Sequence, residues 1–161
     1  MKENRIIRPA TRGDELQLIR LIDEVYREHG DEVDLEGYDR DLLEVEAAYR
    51  EVGGEFVVLE EDGRISGAHA TQPINREEGI VTFRRLYLPP RNRGTGAGKA
   101  LMDWAVGWSR KHGYRRVEFW SDTRFTRAHR FFARYGFVRA GIRHVEEGTL
   151  SFSEFHFSMD F

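Results

Sequence analysis

Hydrophobic positions along the 161-residue chain switch between two periods, and the switches predict its elements. Ile6 and Ile7 lie in a short strand, Arg5 to Arg8. Thr11-x-x-Asp14 then has the form of a capping box. Behind it Leu18, Ile22 and Val25 fall on one face of a helix that Gly30 ends. Asp39 to Arg50 reads as a second helix, stopped by Gly53-Gly54. Phe56 to Leu59 and Ile65 to Thr71 read as strands around Asp62-Gly63, a strong hairpin signal. Pro73 to Gly79 reads as a turn region and Ile80 to Leu88 as the next strand. Leu101, Trp104, Ala105 and Trp108 mark a helix that runs to about His112, with Gly113 as its stop. Arg116 to Ser121 is a strand and Thr126 to Tyr135 a helix ended by Gly136. Phe137 to Arg143 and Ser151 to Met159 complete the chain as strands. The order β-α-α-β-β-β-α-β-α-β-β is neither a repeated βαβ array nor segregated into helices and strands. It predicts an α/β (α+β) fold: a mixed, mostly antiparallel central sheet of six to seven strands, with helices on both faces.

Composition narrows the class. The length and the lack of repeats or long linkers suit one domain over residues 1–161. No apolar run approaches membrane length, and MKENRIIRPA lacks a signal-peptide core, so a cytoplasmic location is expected. With no cysteine, disulfides, thiolate catalysis and cysteine–zinc sites are excluded. The six histidines are scattered, with none at H-x-x-x-H spacing, so no metal is expected. The net charge of −3 conceals an asymmetry. Residues 1–80 carry 10 Lys and Arg against 21 Asp and Glu, whereas residues 81–161 carry 15 against 7. The basic half suits a polyanionic ligand. The acidic stretch Glu28 to Glu46 suits a cationic one, or is simply a solvated face.

Candidate chemistry concentrates between Leu86-Tyr87-Leu88 and the following helix, in Arg91-Asn92-Arg93-Gly94-Thr95-Gly96-Ala97-Gly98-Lys99. A glycine loop that opens a helix offers unpaired N–H groups and a positive dipole end to an anion. Ala100 follows Gly98-Lys99, so the hydroxyl of a nucleoside-triphosphate loop is missing. Lys99 stands where a dinucleotide fingerprint needs its third glycine, and too little chain follows for a doubly wound fold.

Arg91-x-x-Gly94-x-Gly96 resembles the acyl-CoA loop of the GNAT (GCN5-related N-acetyltransferase) superfamily. Two further stretches share the resemblance. Ala128-His129-Arg130-Phe131-Phe132-Ala133-Arg134-Tyr135-Gly136-Phe137 is similar to the family's late helix with its glycine–aromatic end, and Ile7-Arg8-Pro9-Ala10-Thr11 to its entry into the first helix. The resemblance implies an acyl-CoA-dependent N-acetyltransferase that uses acetyl-CoA as cosubstrate and a primary amine of a small molecule or protein as acceptor. The acidic stretch favours a cationic acceptor. The implied donor site comprises the loop residues Arg93, Gly94, Thr95, Gly96, Ala97, Gly98 and Lys99 for the pyrophosphate. Leu86, Tyr87 and Leu88 would pair with the pantetheine arm, and Ala128, Phe131 and Phe132 would lie against the thioester.

Two positions depart from the family pattern. Phe132 stands where many members carry a tyrosine that protonates the leaving thiolate, and Tyr135 lies three residues beyond. Thr82 stands where many carry a glutamate base. The proton acceptor is then sought at Asp122, Glu118 or His129, each of which also has an ordinary structural reading. These departures motivate an alternative, a non-catalytic acyl-CoA sensor or regulatory module. The resemblance allows a homodimer. Neither a nucleic-acid motif nor a membrane partner is indicated.

Overall fold

The computed structural model describes residues 4–161. Seven strands form one sheet in the order β1-β2-β3-β4-β5-β7-β6. They are β1 (Arg5–Pro9), β2 (Glu55–Glu61), β3 (Arg64–Asn75), β4 (Ile80–Tyr87), β5 (Arg116–Asp122), β6 (Val138–Glu147) and β7 (Leu150–Asp160). Three helices accompany them: α1 (Glu15–Arg27), α2 (Ala97–Lys111) and α3 (Thr126–Tyr135). Among the described residues no helix is long and apolar enough to cross a membrane.

Strand alternation distributes the core between the two faces. Phe56 and Val58 of β2 join Leu18, Leu21 and Ile22 of α1 in one buried cluster. Val57 and Leu59 point the other way, to Ala97 and Leu101 of α2. A second cluster on that face joins Met102 and Ala105 of α2 and Phe132 of α3 to Val81, Phe83, Val117, Phe119 and Phe157. Gly67 leaves room for Leu88 and for Leu101 of α2, since a Cβ there would sit 2.7 Å from Leu88 Cδ2 and 3.1 Å from Leu101 Cδ1.

All neighbouring strands run antiparallel except β4 and β5. This parallel pair is registered only at Ile80–Arg116 and Val81–Val117. Beyond Val81 the two strands part, and a gap opens in the middle of the sheet. Its mouth lies at the carboxyl ends of the strands, where open α/β sheets offer crevices to ligands.

Three expectations change. Asp39 to Arg50 is not an α-helix but a 3₁₀ turn (Arg40–Leu43) and a π-helical turn (Glu46–Arg50), broken at Glu44 with φ −148°. The cause is Arg85. Its Nη1 binds Asp39 Oδ1 at 2.8 Å, and its Nε and Nη2 bind both Asp41 oxygens. Residues two apart lie on opposite sides of an α-helix, so both carboxylates can meet one guanidinium only if the helix is given up. The apolar positions Leu42, Val45 and Tyr49 still reach the core. Second, β3 runs through Pro73 and Ile74 to Asn75, with a register shift that accommodates the proline. Third, β6 continues to Glu147 because a bulge beside Gly141 (φ +75°) re-registers it against β7. The Thr11–Asp14 signal is real: the Thr11 amide donates to Asp14 Oδ2 at 2.7 Å and starts a 3₁₀ turn (Arg12–Asp14) that leads into α1. Two hydrogen bonds from Arg8 hold the Asp14 carboxyl below its ordinary pKa, against the effect of burial.

Candidate active site

The gap is aimed by a bulge in β4. Ala68 pairs with Tyr87 and Ala70 with Arg84, so Arg85 and Leu86 together oppose His69. Arg85 takes the strain, with φ +61°. Its side chain, 2% exposed, turns to the α1 face and meets Asp39, Asp41 and the Tyr26 hydroxyl. Burial pushes the Asp41 carboxyl up, but the charge and hydrogen bonds of Arg85 outweigh it and leave the carboxyl below its ordinary value.

Past Tyr87 the chain makes a short turn at Pro90–Asn92 and enters the glycine loop. Gly94 (φ +74°) and Gly96 (φ +86°) adopt left-handed backbone, which an L side chain strains. Among the described residues the amides from Gly94 to Lys99 find no backbone acceptor, and the first return bond is Ala100 N–H to Gly96 O at 3.0 Å. The loop is braced from outside. Arg93 donates to Leu88 O at 3.1 Å and pairs with Glu28 at 2.7 Å, which lowers the Glu28 pKa. Arg5 reaches Thr95, whose hydroxyl donates to Asn92 O at 2.8 Å. Lys99 pairs with Asp103 at the surface.

A cavity of about 580 Å³ begins at this loop. Gly94, Gly96, Gly98, Arg93 and Lys99 line one side, and Arg127, Arg130 and Arg134 of α3 bring positive charge to the other. The basic half of the chain therefore meets at one ligand-sized space. Leu86, Tyr87, Leu88, Ala128 and Phe131 line it as well. The side chain of Ala97 is buried in the core under the loop, and that of Thr95 faces Arg5. Leu86, Tyr87 and Ala128 also border a second cavity of about 160 Å³ at the strand gap, so the two spaces adjoin.

The second cavity has Phe83, Met102, Phe119 and Phe132 at its apolar end and Tyr38, Trp120, Phe152 and Glu154 toward the α1 side. Of the proton-acceptor candidates, Asp122 lines it. Both Asp122 oxygens are occupied, taking contacts from Arg124 side-chain nitrogens at 2.6 to 3.2 Å and from the Arg124 amide at 2.9 Å. Glu118 lies elsewhere, paired with Arg116 at 2.9 Å and 3.5 Å from His156. His129 is buried against Phe157, with Nε2 3.0 Å from Ser121 Oγ, and burial lowers its pKa. Tyr135 donates its hydroxyl to Asp103 at 2.6 Å and does not line either cavity.

Four residues that the sequence did not single out complete the second cavity. Glu154 is the register partner of Asp122 on β7. Arg84 precedes the bulge. Tyr38 packs edge-to-face on Phe152 at 6.1 Å. His69 is fully buried, and its Nδ1–H donates to Arg84 O at 3.0 Å. Burial lowers the His69 pKa to about 4, so the ring is neutral at pH 7, and its Nε2 has no partner among the described residues. Only strand register and the β4 bulge unite them; no short motif contains them. Among the described residues no group of three or more His, Cys, Asp or Glu is placed to hold a metal.

A sheet split between its parallel strands, with a glycine loop and helix N-terminus beside the split, defines an acyl-CoA-dependent N-acyltransferase architecture. The comparisons agree. Residues 18–137 match the family described as Acetyltransferase (GNAT) family, and the chain belongs to it. It is 29% identical over 118 residues to the uncharacterized N-acetyltransferase YjgM of Escherichia coli (strain K12), covering 71% of this chain and 70% of that protein. It is 37% identical over 88 residues to the uncharacterized N-acetyltransferase Rv2669 of Mycobacterium tuberculosis (strain ATCC 25618 / H37Rv), and this match spans 55% of each protein. Among solved structures, Ard1 from Thermoplasma volcanium superposes with a TM-score of 0.79 at 19% identity, covering 97% of both chains. The putative acetyltransferase yncA from Salmonella typhimurium, solved with acetyl-CoA, superposes with a TM-score of 0.76 at 16% identity, covering 98% of this chain and 94% of that one.

Proposed function

We propose that the chain acts in the cytoplasm, binds acetyl-CoA along the larger cavity and transfers its acetyl group to a primary amine at the strand gap. The six unpaired amides of Gly94 to Lys99, at the head of a cavity that adjoins the gap, carry this reading. A pyrophosphate is an acceptor-rich anion that such converging donors fit, and Arg93, Lys99 and the α3 arginines add charge around it. The exposed edges of Leu86, Tyr87 and Leu88 suit pairing with an extended pantetheine arm. Ala128, Phe131 and Phe132 give the thioester an apolar wall.

The acceptor enters from the side of Tyr38 and Trp120. Its ammonium gives one proton to the carboxylates registered across β5 and β7, Asp122 and Glu154. Glu154 Oε2 receives it, because Arg124 occupies both Asp122 oxygens. The free amine attacks the thioester carbonyl carbon, forming the C–N bond as the C–S bond breaks. The departing thiolate takes the second amine proton, giving the amide and the thiol of CoA. Phe132 has no hydroxyl to assist this step, so positioning of the two reactants supplies much of the rate.

Gly94→Val tests the donor site. Nothing lies within 4 Å of a Cβ built there, so the side chain projects into open space beside the amides. The left-handed φ costs about 1–2 kcal/mol in stability. The variant is expected to remain folded by circular dichroism and to bind acetyl-CoA at least about tenfold more weakly by calorimetry, a loss of ~1.4 kcal/mol. Unchanged affinity would remove the loop from the site.

A further inference from the structure

Three arginines, Arg84, Arg85 and Arg124, line the acceptor cavity and Arg143 contacts its lining residue Glu154; all but Arg84 have carboxylate partners. Arg85 holds Asp39 and Asp41, Arg124 holds Asp122 and Asp31, and Arg143 holds Glu154. Arg84 differs. Its guanidinium has one hydrogen bond, a long one of 3.4 Å to Gln72 Oε1, and stands 5.9 Å from the Tyr49 ring centroid. Among the described residues no carboxylate lies within ion-pair distance of it. A guanidinium lining a small cavity without a protein anion is a fitting recognition group for a carboxylate, which it can bind through two parallel N–H donors.

The cavity offers the complementary group too. Glu154 is 6% exposed, and both contacts from Arg143 go to its Oε1, at 2.9 and 2.8 Å. Oε2 makes no hydrogen bond among the described residues. Arg84, Glu154 and Tyr38 all line this one cavity. Part of the acidic stretch that suggested a cationic acceptor is used within the protein: Glu28 pairs with Arg93, Asp31 with Arg124, and Asp39 and Asp41 with Arg85, while Glu32, also on the cavity lining, is exposed and lies 3.6 Å from Arg27. At about 160 Å³ the cavity is also smaller than a drug-sized site, and Trp120, Phe152 and Tyr87 give it an apolar wall.

We infer that the acceptor is a free α-amino acid with an apolar side chain. Arg84 binds its carboxylate, Glu154 Oε2 receives its ammonium, and Trp120 and Phe152 flank its side chain. This substrate class rests on the transfer reaction proposed above.

The test compares leucine with isoamylamine, which is leucine without its carboxylate, using the full chain and acetyl-CoA and reading CoA release. Leucine is expected to exceed isoamylamine by about 100-fold in kcat/KM, the scale of a bidentate charge-assisted contact. Arg84→Gln is expected to bring that ratio close to one by raising the KM for leucine, with Arg84→Lys intermediate. Acetyl-CoA affinity reports whether the variants are folded. Wild-type protein that uses isoamylamine as well as leucine overturns the proposal, as does an Arg84→Gln variant that keeps the preference. If neither amine turns over, leucine is titrated calorimetrically into CoA-loaded protein. Binding that Arg84→Gln abolishes supports the amino-acid site and refutes the transfer reaction. No binding refutes the amino-acid site itself.

Discussion

Replacing Arg85 with methionine removes a buried cation from the wall of the smaller cavity and keeps most of its length. Asp39 is 1% exposed and Asp41 is held by three hydrogen bonds, two of them from Arg85. The Tyr26 and Tyr49 hydroxyls remain as donors, but no positive charge replaces the guanidinium. Breaking a buried ion pair by removing one partner costs about 3–5 kcal/mol, and here one guanidinium serves two carboxylates. In a chain of this length each kcal/mol lowers Tm by roughly 2–4 °C, so a loss of about 6–20 °C is expected at pH 7. The pH dependence identifies the cause. In the wild-type protein the Asp41 carboxyl is depressed, so its contribution is present above its unfolded value of 3.8 and is lost only as pH falls through the lower folded value. Without Arg85, burial dominates and raises that carboxyl, so the charged form destabilises at neutral pH and protonation relieves it. The stability difference between wild type and Arg85→Met should therefore shrink as pH falls from 7 toward 4. Urea unfolding at several pH values measures it. A cost below about 1 kcal/mol at pH 7, the scale of an exposed pair, would refute the reasoning. So would a cost independent of pH.

Glu154→Gln keeps the shape of the proposed proton acceptor and removes its basicity. kcat is expected to fall by about 100-fold with acetyl-CoA affinity unchanged by calorimetry, and a kcat within twofold of wild type would exclude Glu154 from proton transfer. Gly54→Ala adds a Cβ that overlaps the Thr71 carbonyl oxygen where β2 begins. Such overpacking costs about 1–3 kcal/mol, and a thermal melt should fall by several degrees; an unchanged Tm would show that the backbone shifts freely there.

The parts legible in the sequence are those in which one short segment carries its own physical reason. The loop from Arg91 to Lys99 combines glycines, a preceding strand and a following helix in nine residues. The alternation of Phe56 to Leu59 and the helical spacing of Leu18, Ile22 and Val25 likewise need no distant partner. Leu86, Tyr87, Ala128 and Phe131, named through family resemblance, line the larger cavity. What was hidden depends on contacts across the chain. The helical pattern of Asp39 to Arg50 is overridden by Arg85, 46 positions from Asp39. Glu154 joins the smaller cavity only through its register with Asp122, and Arg84 only through the bulge beside it. The acidic and basic halves were visible as charge. That they pair with each other, leaving Arg84 without an anion, required the fold.

The most direct test of the central claim is to incubate the full chain with isotope-labelled acetyl-CoA and an amine panel that includes leucine, and to identify the products by mass spectrometry. The account predicts labelled N-acetyl product and one equivalent of free CoA, both formed about 100-fold more slowly by Glu154→Gln. Acetyl-CoA that binds at the loop yet remains intact with every amine would contradict it.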